Sequence, residues 1–260
     1  MPMKTMMGGL ENLATGVLAR RKRPYLMAHR GNRVLCPENT MAAFRQSFED
    51  GAAILETDLH VTRDGVMVCI HDATVDRTTD GEGEVAAYSL EEIKLLKANR
   101  GFEGFESERI PTLEELAAIL PDNVALALEL KSDAFLDEEI CRQLASILED
   151  SGVRQQTLVI SFSMERLRTV RRVAADIPIG LISLSSLFPS AEPEFVGVLW
   201  PMLFANPFYV WMAHRRGQFF CPLDPEPDSR LWYYRFLNCD SILSDNPAVT
   251  KRKLNQNVDE

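Results

Sequence analysis

The sequence predicts an α/β protein built as a closed barrel of parallel strands. Short apolar segments of strand length alternate along the chain with segments of helical periodicity. Several of these strands carry apolar side chains on one face and polar side chains on the other. The chain has 260 residues, which is enough for one large α/β domain or two small ones.

The composition narrows the function classes. Hydrophobic residues make up 46% of the chain and charged residues 25%, as in ordinary globular proteins. The formal net charge of −10 argues against general nucleic-acid binding, which needs a basic surface. The five cysteines are scattered and form no C-x-x-C pair, so neither a zinc ribbon nor a disulfide framework is indicated. A reducing, cytoplasmic setting is the simplest interpretation.

Residues 1–24 are predicted to form an N-terminal helical and basic segment. A basic run at residues 20–23 follows four apolar residues at helical spacing, which are Leu10, Leu13, Val17 and Leu18. The segment lacks the features of a signal peptide. Its small apolar face favours a helix packed on the body of the fold, and a weak contact with a membrane surface is the alternative.

The barrel is predicted over residues 25–250. Its first strand, at residues 25–29, precedes a helix that begins near Asn39 or Thr40 and ends at Gly51. Two strands follow on either side of a turn, at residues 53–59 and 66–70. Residues 73–109 are rich in Gly, Asp, Glu and Thr, and they are predicted to be an insertion over one mouth of the barrel.

The alternation resumes after the insertion. A helix begins at Thr112, with Glu115 completing a capping box. The later helices are predicted at residues 137–150, 164–174 and 209–216. The later strands are predicted at residues 124–131, 158–162, 179–184, 195–200, 218–223 and 241–244, which gives eight or nine strands in all. Residues 251–260 are predicted to be a polar tail.

The segment 195–213 contains no charged residue. Its length would suffice to cross a membrane, but its prolines favour a buried strand followed by the start of a helix. An apolar rim for a lipid-like substrate is the alternative interpretation of this segment.

Polar side chains collect near the ends of four predicted strands. The alternation of a strand places Glu56 and Asp58 on one face, and it does the same for Glu129 and Lys131. The full set is His29, Arg30, Glu56, Asp58, His71, Glu129 and Lys131. A single histidine or Glu–Lys pair is often only structural, but the whole set on one face favours a functional site.

The chemistry of this set indicates a metal-assisted reaction on an anion. Three converging carboxylates repel each other unless a cation lies among them, and oxygen ligands prefer Mg²⁺ or Ca²⁺ over Zn²⁺. With such a cation, the two basic side chains leave roughly one positive charge, which suits a phosphodiester. Two histidines from different strands can then act as general base and general acid.

Seven ordered motifs closely resemble those of the glycerophosphodiester phosphodiesterase family. They are His29-Arg30-Gly31, Pro37-Glu38-Asn39-Thr40, Glu56-Thr57-Asp58, Thr62-Arg63-Asp64-Gly65, His71-Asp72, Arg77-Thr78-Thr79 and Glu129-Leu130-Lys131. The resemblance is strong over residues 26–162, and it returns at Ser244-Asp245-Asn246-Pro247.

The resemblance implies a (β/α)8 TIM barrel with a small insertion after the third strand. It implies metal-dependent hydrolysis of glycerophosphodiesters to sn-glycerol 3-phosphate and an alcohol. The residues that match the family's ligands for one divalent cation are Glu56, Asp58 and Glu129. Those that match its acid/base pair are His29 and His71, and those that match its phosphate-binding residues are Arg30 and Lys131.

The C-terminal third departs from the family pattern. Cys221-Pro222-Leu223-Asp224 stands where the family has a Trp-Thr-Val-Asn strand end. The pocket for glycerol or the alcohol is therefore expected to differ. Phe162, Trp200 and Trp232 are the candidates for its aromatic wall. His60 and His214 lie outside the motifs and are interpreted as structural or surface residues.

Two other functions are weighed against glycerophosphodiester hydrolysis. The uncharged segment 195–213 favours a lysophospholipase D- or sphingomyelinase D-like phosphodiesterase. A non-catalytic barrel that binds phosphate esters is disfavoured, because a binder needs cations but no pair of histidines. The sequence specifies neither the alcohol, the choice between the two metals, nor the oligomeric state.

Overall fold

The computed structural model describes residue 13, residues 16–19 and residues 21–256. Within this part of the chain, the nine strands are β1 (Tyr25–His29), β2 (Ile54–Val61), β3 (Met67–Cys69), β4 (Ala125–Leu130), β5 (Thr157–Ser161), β6 (Ile179–Ser183), β7 (Phe195–Leu199), β8 (Phe219–Leu223) and β9 (Ser241–Ser244). The α-helices are α1 (Met41–Glu49), α2 (Leu90–Ile93), α3 (Leu113–Ala117), α4 (Glu138–Asp150), α5 (Met164–Val173), α6 (Met202–Ala205), α7 (Tyr209–Arg215), α8 (Leu231–Phe236) and α9 (Pro247–Gln256).

Eight strands form a nearly closed parallel barrel, which confirms the predicted fold class. Their order is β8-β7-β6-β5-β4-β2-β1-β9, and each neighbouring pair along this path is parallel. At the seam between β9 and β8, the backbone N–H of Asp240 donates to the carbonyl of Phe220 at 3.1 Å. The carboxyl ends of all eight strands therefore meet at one mouth of the barrel.

The third strand differs from the other predicted strands because it lies outside the barrel and runs antiparallel to β2. The turn between them is tight: the N–H of Thr62 donates to the carbonyl of Val66, and Gly65 takes a φ of +84°. A connection this short can join only antiparallel strands. The insertion follows β3, and its apolar residues form a small cluster of their own with Val68 and Ile70.

The alternation of each strand separates two apolar layers. Leu126, Leu128 and Leu130 pack outward against the helices, whereas Ala125 and Ala127 belong to the inner cluster. At the amino-terminal end of the barrel, the inner cluster consists of stacked aromatic rings and of two residues of the N-terminal segment, Leu13 and Leu18. The burial of these two leucines supports the interpretation of a segment packed on the body of the fold.

The observed helices agree with the predicted ones in part. Thr40 is the N-cap of α1 and Thr112 the N-cap of α3, the latter in a capping box with Glu115. Helices α6 and α8 were not predicted, and α9 runs through residues 251–256, which were predicted as part of a polar tail. Residues 257–260, Leu10 and Arg20 lie outside the described residues.

The uncharged segment 195–213 contains β7, α6 and most of α7. In the part of the chain that the structure describes, no helix is long and apolar enough to cross a membrane.

Candidate active site

The seven predicted site residues come together at the carboxyl-terminal mouth of the barrel. The register of the sheet pairs His29 with Glu56 and Asp58 with Glu129, so β1, β2 and β4 carry them side by side. Six of the seven line one cavity of about 220 Å³, namely His29, Arg30, Glu56, His71, Glu129 and Lys131. The seventh, Asp58, has its side chain fully buried.

The three carboxylates form a compact oxygen cluster. Glu56, Asp58 and Glu129 are buried, and each offers an oxygen atom within 4.8 Å of the others. Burial and then repulsion from Asp58 raise the pKa of Glu56 well above its usual value and that of Glu129 to about 7. The pKa of Asp58 is lowered, because nearby cations outweigh the effect of its burial.

This cluster is compatible with a divalent metal site. Oδ1 of Asp58 is buried and accepts no hydrogen bond from any described residue, although Nζ of Lys131 lies 3.3 Å from it. An oxygen that is buried, charged and without a hydrogen bond is costly unless a cation compensates it. A cation among the carboxylates would also relieve the repulsion that raises the pKa values of Glu56 and Glu129.

Asn39 fixes the orientation of the central carboxylate. Its Nδ2 donates to Oδ2 of Asp58 at 2.9 Å, and its Oδ1 accepts from the hydroxyl of Thr57 at 2.7 Å. Asn39 has a φ of +54°, a conformation that asparagine tolerates better than most residues. The sequence identified Asn39 only as a candidate helix cap; its contact with Asp58 depends on the packing of the loop before α1.

Arg30 and Lys131 provide positive charge beside the carboxylates. Nε of Arg30 lies 3.1 Å from Oδ2 of Asp58, and Nζ of Lys131 lies 2.8 Å from Oε1 of Glu129. Arg30 has a φ of +58° and is followed by Gly31 at +81°. A Cβ on residue 31 would lie 2.5 Å from the backbone of Ala43, so only glycine lets this loop pack against α1.

Each histidine of the site is paired with a carboxylate. Nδ1 of His29 lies 2.6 Å from Oδ1 of Asp245, and Nδ1 of His71 lies 2.6 Å from Oδ1 of Asp72. A carboxylate at Nδ1 places the ring proton there in the neutral tautomer and leaves Nε2 able to accept a proton. Burial is the main cause that lowers the pKa of both histidines below its usual value.

Arg77 links the two carboxylates that support the site. Its Nε donates to Asp72 at 2.6 Å, and its Nη1 and Nη2 donate to Glu38 at 2.9 Å and 2.8 Å. Glu38 in turn accepts from Nη1 of Arg30 at 2.9 Å. These arginine contacts outweigh burial and hold the pKa of Glu38 and of Asp72 at about 2. The insertion thereby orients both His71 and Arg30.

We predict that Arg77→Ala lowers kcat by about tenfold, because supporting contacts of this kind typically contribute 10- to 100-fold. Arg77→Lys should recover only part of the loss, since lysine cannot form the bidentate contact. Steady-state kinetics on the folded variants would measure both effects. Unchanged kcat in the alanine variant would contradict a positioning role.

Five contact residues of the site lay within the recognised motifs, and the sequence analysis assigned none of them a role in the site. They are Glu38, Asn39, Asp72, Arg77 and Asp245. The sequence feature that could have identified them is their position next to the site residues or inside the same motif. Asp245 lies 216 residues from His29, and β9 brings it close by pairing in parallel with β1.

The opposite side of the mouth is apolar. Strands β5 to β8 and the residues that follow them line the cavity with a surface that we call the apolar wall: Ile160, Phe162, Ile182, Leu184, Leu199 and Leu223. Of the three aromatic candidates, Phe162 lines this cavity, with Nζ of Lys131 5.8 Å from its ring centroid. Trp200 instead stacks against Arg230, and Trp232 is exposed.

The structure also places the strand end that departs from the family pattern and the two histidines that lie outside the motifs. Cys221 and Leu223 line the cavity, whereas Asp224 is buried against Arg230 and Tyr234. His60 lies 3.2 Å from the carbonyl of His71, and His214 lies 2.9 Å from Asp240.

Comparisons with known protein sequences all find the same family. The sequence model of the glycerophosphoryl diester phosphodiesterase family matches residues 29–194. A glycerophosphodiester phosphodiesterase of Caldanaerobacter subterraneus subsp. tengcongensis is 39% identical over 186 residues, which is 71% of this chain and 75% of that protein. Glycerophosphodiester phosphodiesterase 1 of Bos taurus is 36% identical over 173 residues, which is 65% of this chain and 52% of that protein.

Solved structures share the fold. The crystal structure of a putative glycerophosphoryl diester phosphodiesterase from Silicibacter pomeroyi superposes with a TM-score of 0.81 at 24% identity. The superposition covers 95% of this chain and 98% of the crystallised one. A phosphodiesterase of Oleispira antarctica, solved with the product sn-glycerol-3-phosphate, has a TM-score of 0.79 at 25% identity and covers 89% of this chain and 97% of that one.

Proposed function

This chain belongs to the glycerophosphoryl diester phosphodiesterase family, and we propose that it hydrolyses a glycerophosphodiester to sn-glycerol 3-phosphate and an alcohol with one divalent cation. The observation that carries the proposal is the composition of one cavity. Two buried carboxylates, two cationic side chains and two carboxylate-paired histidines line it, and the buried carboxylate of Asp58 completes the oxygen cluster beside it. The relative crystallised with sn-glycerol-3-phosphate supports the same class of substrate.

Glu56, Asp58 and Glu129 would hold the cation. Their ligands are all oxygen atoms, which favours Mg²⁺ or Ca²⁺. When bound, such a cation neutralises negative charge on phosphate oxygens and thereby lowers the barrier to attack on phosphorus. Arg30 and Lys131 add donors beside it and would contact the remaining phosphate oxygens.

The two histidines would move the protons of the reaction. One ring in its neutral form accepts the proton of the attacking hydroxyl at Nε2, and the other ring in its protonated form donates its Nε2 proton to the oxygen of the leaving alcohol as the P–O bond breaks. Asp245 and Asp72 hold the rings in place and stabilise the imidazolium that each ring forms in turn. The attacking hydroxyl belongs to water or to the glycerol of the substrate.

Product identification tests the proposed function. Glycerophosphocholine incubated with the protein and Mg²⁺ or Ca²⁺ should give sn-glycerol 3-phosphate and choline in equal amounts. Release of glycerol and phosphocholine would show cleavage of the other P–O bond and contradict the proposal. A folded, metal-loaded protein that turned over no glycerophosphodiester would contradict it as well.

Cation binding should strengthen as the pH rises through about 7. The Glu129 carboxyl, whose pKa is about 7, must lose its proton to act as a ligand, so affinity should fall by up to about tenfold per pH unit below that value. Calorimetric titration with Ca²⁺ at pH 6 and pH 8, in buffers of different ionisation enthalpy, would measure affinity and proton release together. Equal affinity at both values would contradict the prediction.

We also propose a cytoplasmic location. All five cysteines are buried and unpaired, which suits a reducing compartment. Fractionation of cells that express the tagged chain would test this, and recovery of the chain in a secreted fraction would contradict it.

A further inference from the structure

A cavity lies at the amino-terminal end of the barrel, opposite the mouth that carries the candidate active site. Its volume is about 260 Å³, which is room for roughly nine water molecules at the volume they occupy in the liquid. The starts of β1 and β2 contribute Tyr25, Leu26 and Ala53 to its lining. The N-terminal segment, the turn after α1 and the helices α8 and α9 complete it.

Cationic side chains dominate the lining of this cavity, and we call them the basic cluster: Arg21, Lys22, Arg23, Arg235 and Lys251. Among the described residues, no aspartate or glutamate lines the cavity. This local excess runs against the composition, because acidic residues outnumber lysine and arginine by 38 to 28 over the whole chain. A concave surface lined by charges of one sign concentrates ions of the opposite sign.

Contacts with the barrel account for part of the basic cluster. Nε and Nη2 of Arg21 donate to the carbonyl of Asn123 at 3.1 Å and 2.8 Å, and its Nη1 donates to the carbonyl of Gly51 at 3.3 Å. Arg23 forms an ion pair with Asp240. The carbonyl contacts hold Arg21 in place, but a carbonyl dipole does not cancel a full positive charge. Only the charge of Arg23 is balanced by these contacts.

The two lysines of the basic cluster have no such contact. Lys22 and Lys251 are exposed, and neither forms a hydrogen bond or an ion pair with a residue that the structure describes. Nζ of Lys251 nevertheless lies over Gly51, since a Cβ on residue 51 would be 2.0 Å from it. Arg21 and Lys251 therefore converge on the same turn, where burial already lowers the pKa of Arg21. A bound anion would relieve both the repulsion and the cost of burial.

The shape of the cavity and the packing of the N-terminal segment favour a compact anion over a membrane surface. The basic cluster lines a concave pocket built from separate segments of the chain, whereas a bilayer presents a broad, flat array of head groups. Leu13 and Leu18 are each 3% exposed and belong to the inner cluster of the barrel. These leucines are therefore not available for insertion into a bilayer.

The charge and the donors of the cavity specify the kind of anion. The guanidinium of Arg21 and the ammonium groups of Lys22 and Lys251 are the donors that proteins use for phosphate groups. Their three positive charges suit a group with two or more negative charges better than a phosphodiester, which carries only one. A phosphomonoester and a diphosphate meet this condition.

We propose that the cavity at the amino-terminal end of the barrel binds a phosphomonoester or diphosphate anion, held by Arg21, Lys22 and Lys251. The anion would bridge the N-terminal segment, the turn after α1 and helix α9, and its binding would stabilise the folded chain. A free ion and the phosphate group of a larger molecule present the same chemistry to the cavity. The inference does not depend on the proposed function.

Titration calorimetry at low ionic strength, with EDTA present, tests the inference with inorganic phosphate, diphosphate and glucose 6-phosphate. Diphosphate should bind most tightly, because it carries the most charge, and its affinity should fall as salt is added. If glucose 6-phosphate binds more tightly than inorganic phosphate, the site takes a phosphorylated molecule, and the reverse order indicates a free ion; either result supports the inference. Absence of binding by all three anions would overturn it.

A double variant locates the binding in the cavity. In Lys22→Ser/Lys251→Ser, the affinity for diphosphate should fall by about 100-fold, because each hydrogen bond to a charged group contributes about tenfold or more. Wild-type affinity in this variant would place the anion elsewhere and overturn the inference. Lys251→Ser alone should lose about tenfold, and it replaces the double variant if that variant does not fold.

Lys97→Ser/Arg252→Ser is the matched control. It removes the same charge at two exposed positions that do not line the cavity, and Arg252 is the neighbour of Lys251 on α9. Its affinity for diphosphate should equal that of the wild type, and an equal loss would overturn the inference. Saturating diphosphate should raise the Tm of the wild type and of this control, but not that of Lys22→Ser/Lys251→Ser.

Two further measurements separate this inference from the alternatives. Sedimentation with vesicles that contain phosphatidylserine, combined with no binding of the soluble anions, would overturn it and assign the basic cluster to a membrane surface. Hydrolysis of glycerophosphocholine should be equal in the wild type and in Lys22→Ser/Lys251→Ser. A folded protein that bound diphosphate in the cavity but hydrolysed no glycerophosphodiester would contradict the proposed function and leave this inference standing.

Discussion

Replacement of His29 or His71 by alanine is expected to lower kcat for glycerophosphodiester hydrolysis by about 10²- to 10⁴-fold. Each alanine variant removes a group that we propose accepts or donates a proton at the reacting oxygens. Each also leaves its carboxylate partner, Asp245 or Asp72, without the ring that it orients. KM should change much less, because the phosphate contacts proposed for Arg30 and Lys131 remain.

The two histidines should also act as a unit. If one ring is absent, proton transfer fails at one end of the reaction, so the double variant should be little slower than the slower single variant. His214→Asn is the matched control, because His214 contacts Asp240 and not the cavity. Near-normal turnover in a folded His29→Ala or His71→Ala variant would contradict the acid/base assignment.

Asp58→Asn is expected to abolish most activity through loss of the cation. The substitution keeps the shape of the side chain and an oxygen that can accept from Asn39, but it removes the negative charge of one of the three proposed ligands. We expect cation affinity to fall by at least about 100-fold, more than for a change in a supporting residue. kcat/KM at a fixed, low cation concentration should fall in proportion.

Titration calorimetry with Ca²⁺ or Mg²⁺ measures the affinity, and activity at rising cation concentration shows whether the loss is recovered. Glu114→Gln is the control, since Glu114 is an exposed carboxylate on α3 that belongs neither to the carboxylate cluster nor to the lining of the cavity. Wild-type cation affinity in the Asp58→Asn variant would show that these carboxylates do not form the metal site.

The parts of the site that follow local periodicity were predictable from the sequence. Residues two apart on a strand share a face, which placed Glu56 with Asp58 and Glu129 with Lys131. Both strands also carry the alternation of a barrel, so their polar ends were expected at the same mouth. The register of β2 with β4, which sets Asp58 beside Glu129, confirms that expectation.

The parts that depend on closure of the barrel or on loop conformation were not predictable. The contact of Asp245 with His29 exists only because β9 pairs with β1, and no local pattern encodes that pairing. The left-handed backbone at Arg30 and Asn39 aims both side chains at Asp58, and it depends on the packing of Gly31 against α1. Helix α8 is aromatic along most of its length, so it lacks the amphipathic spacing that indicates a helix.

One measurement tests the central claim most directly: the rate of release of sn-glycerol 3-phosphate from glycerophosphocholine before and after complete chelation. The carboxylate cluster predicts that EDTA lowers the rate to that of the Asp58→Asn variant, and that Mg²⁺ or Ca²⁺ in excess of EDTA restores it. Full activity in protein shown to be free of metal would contradict the claim.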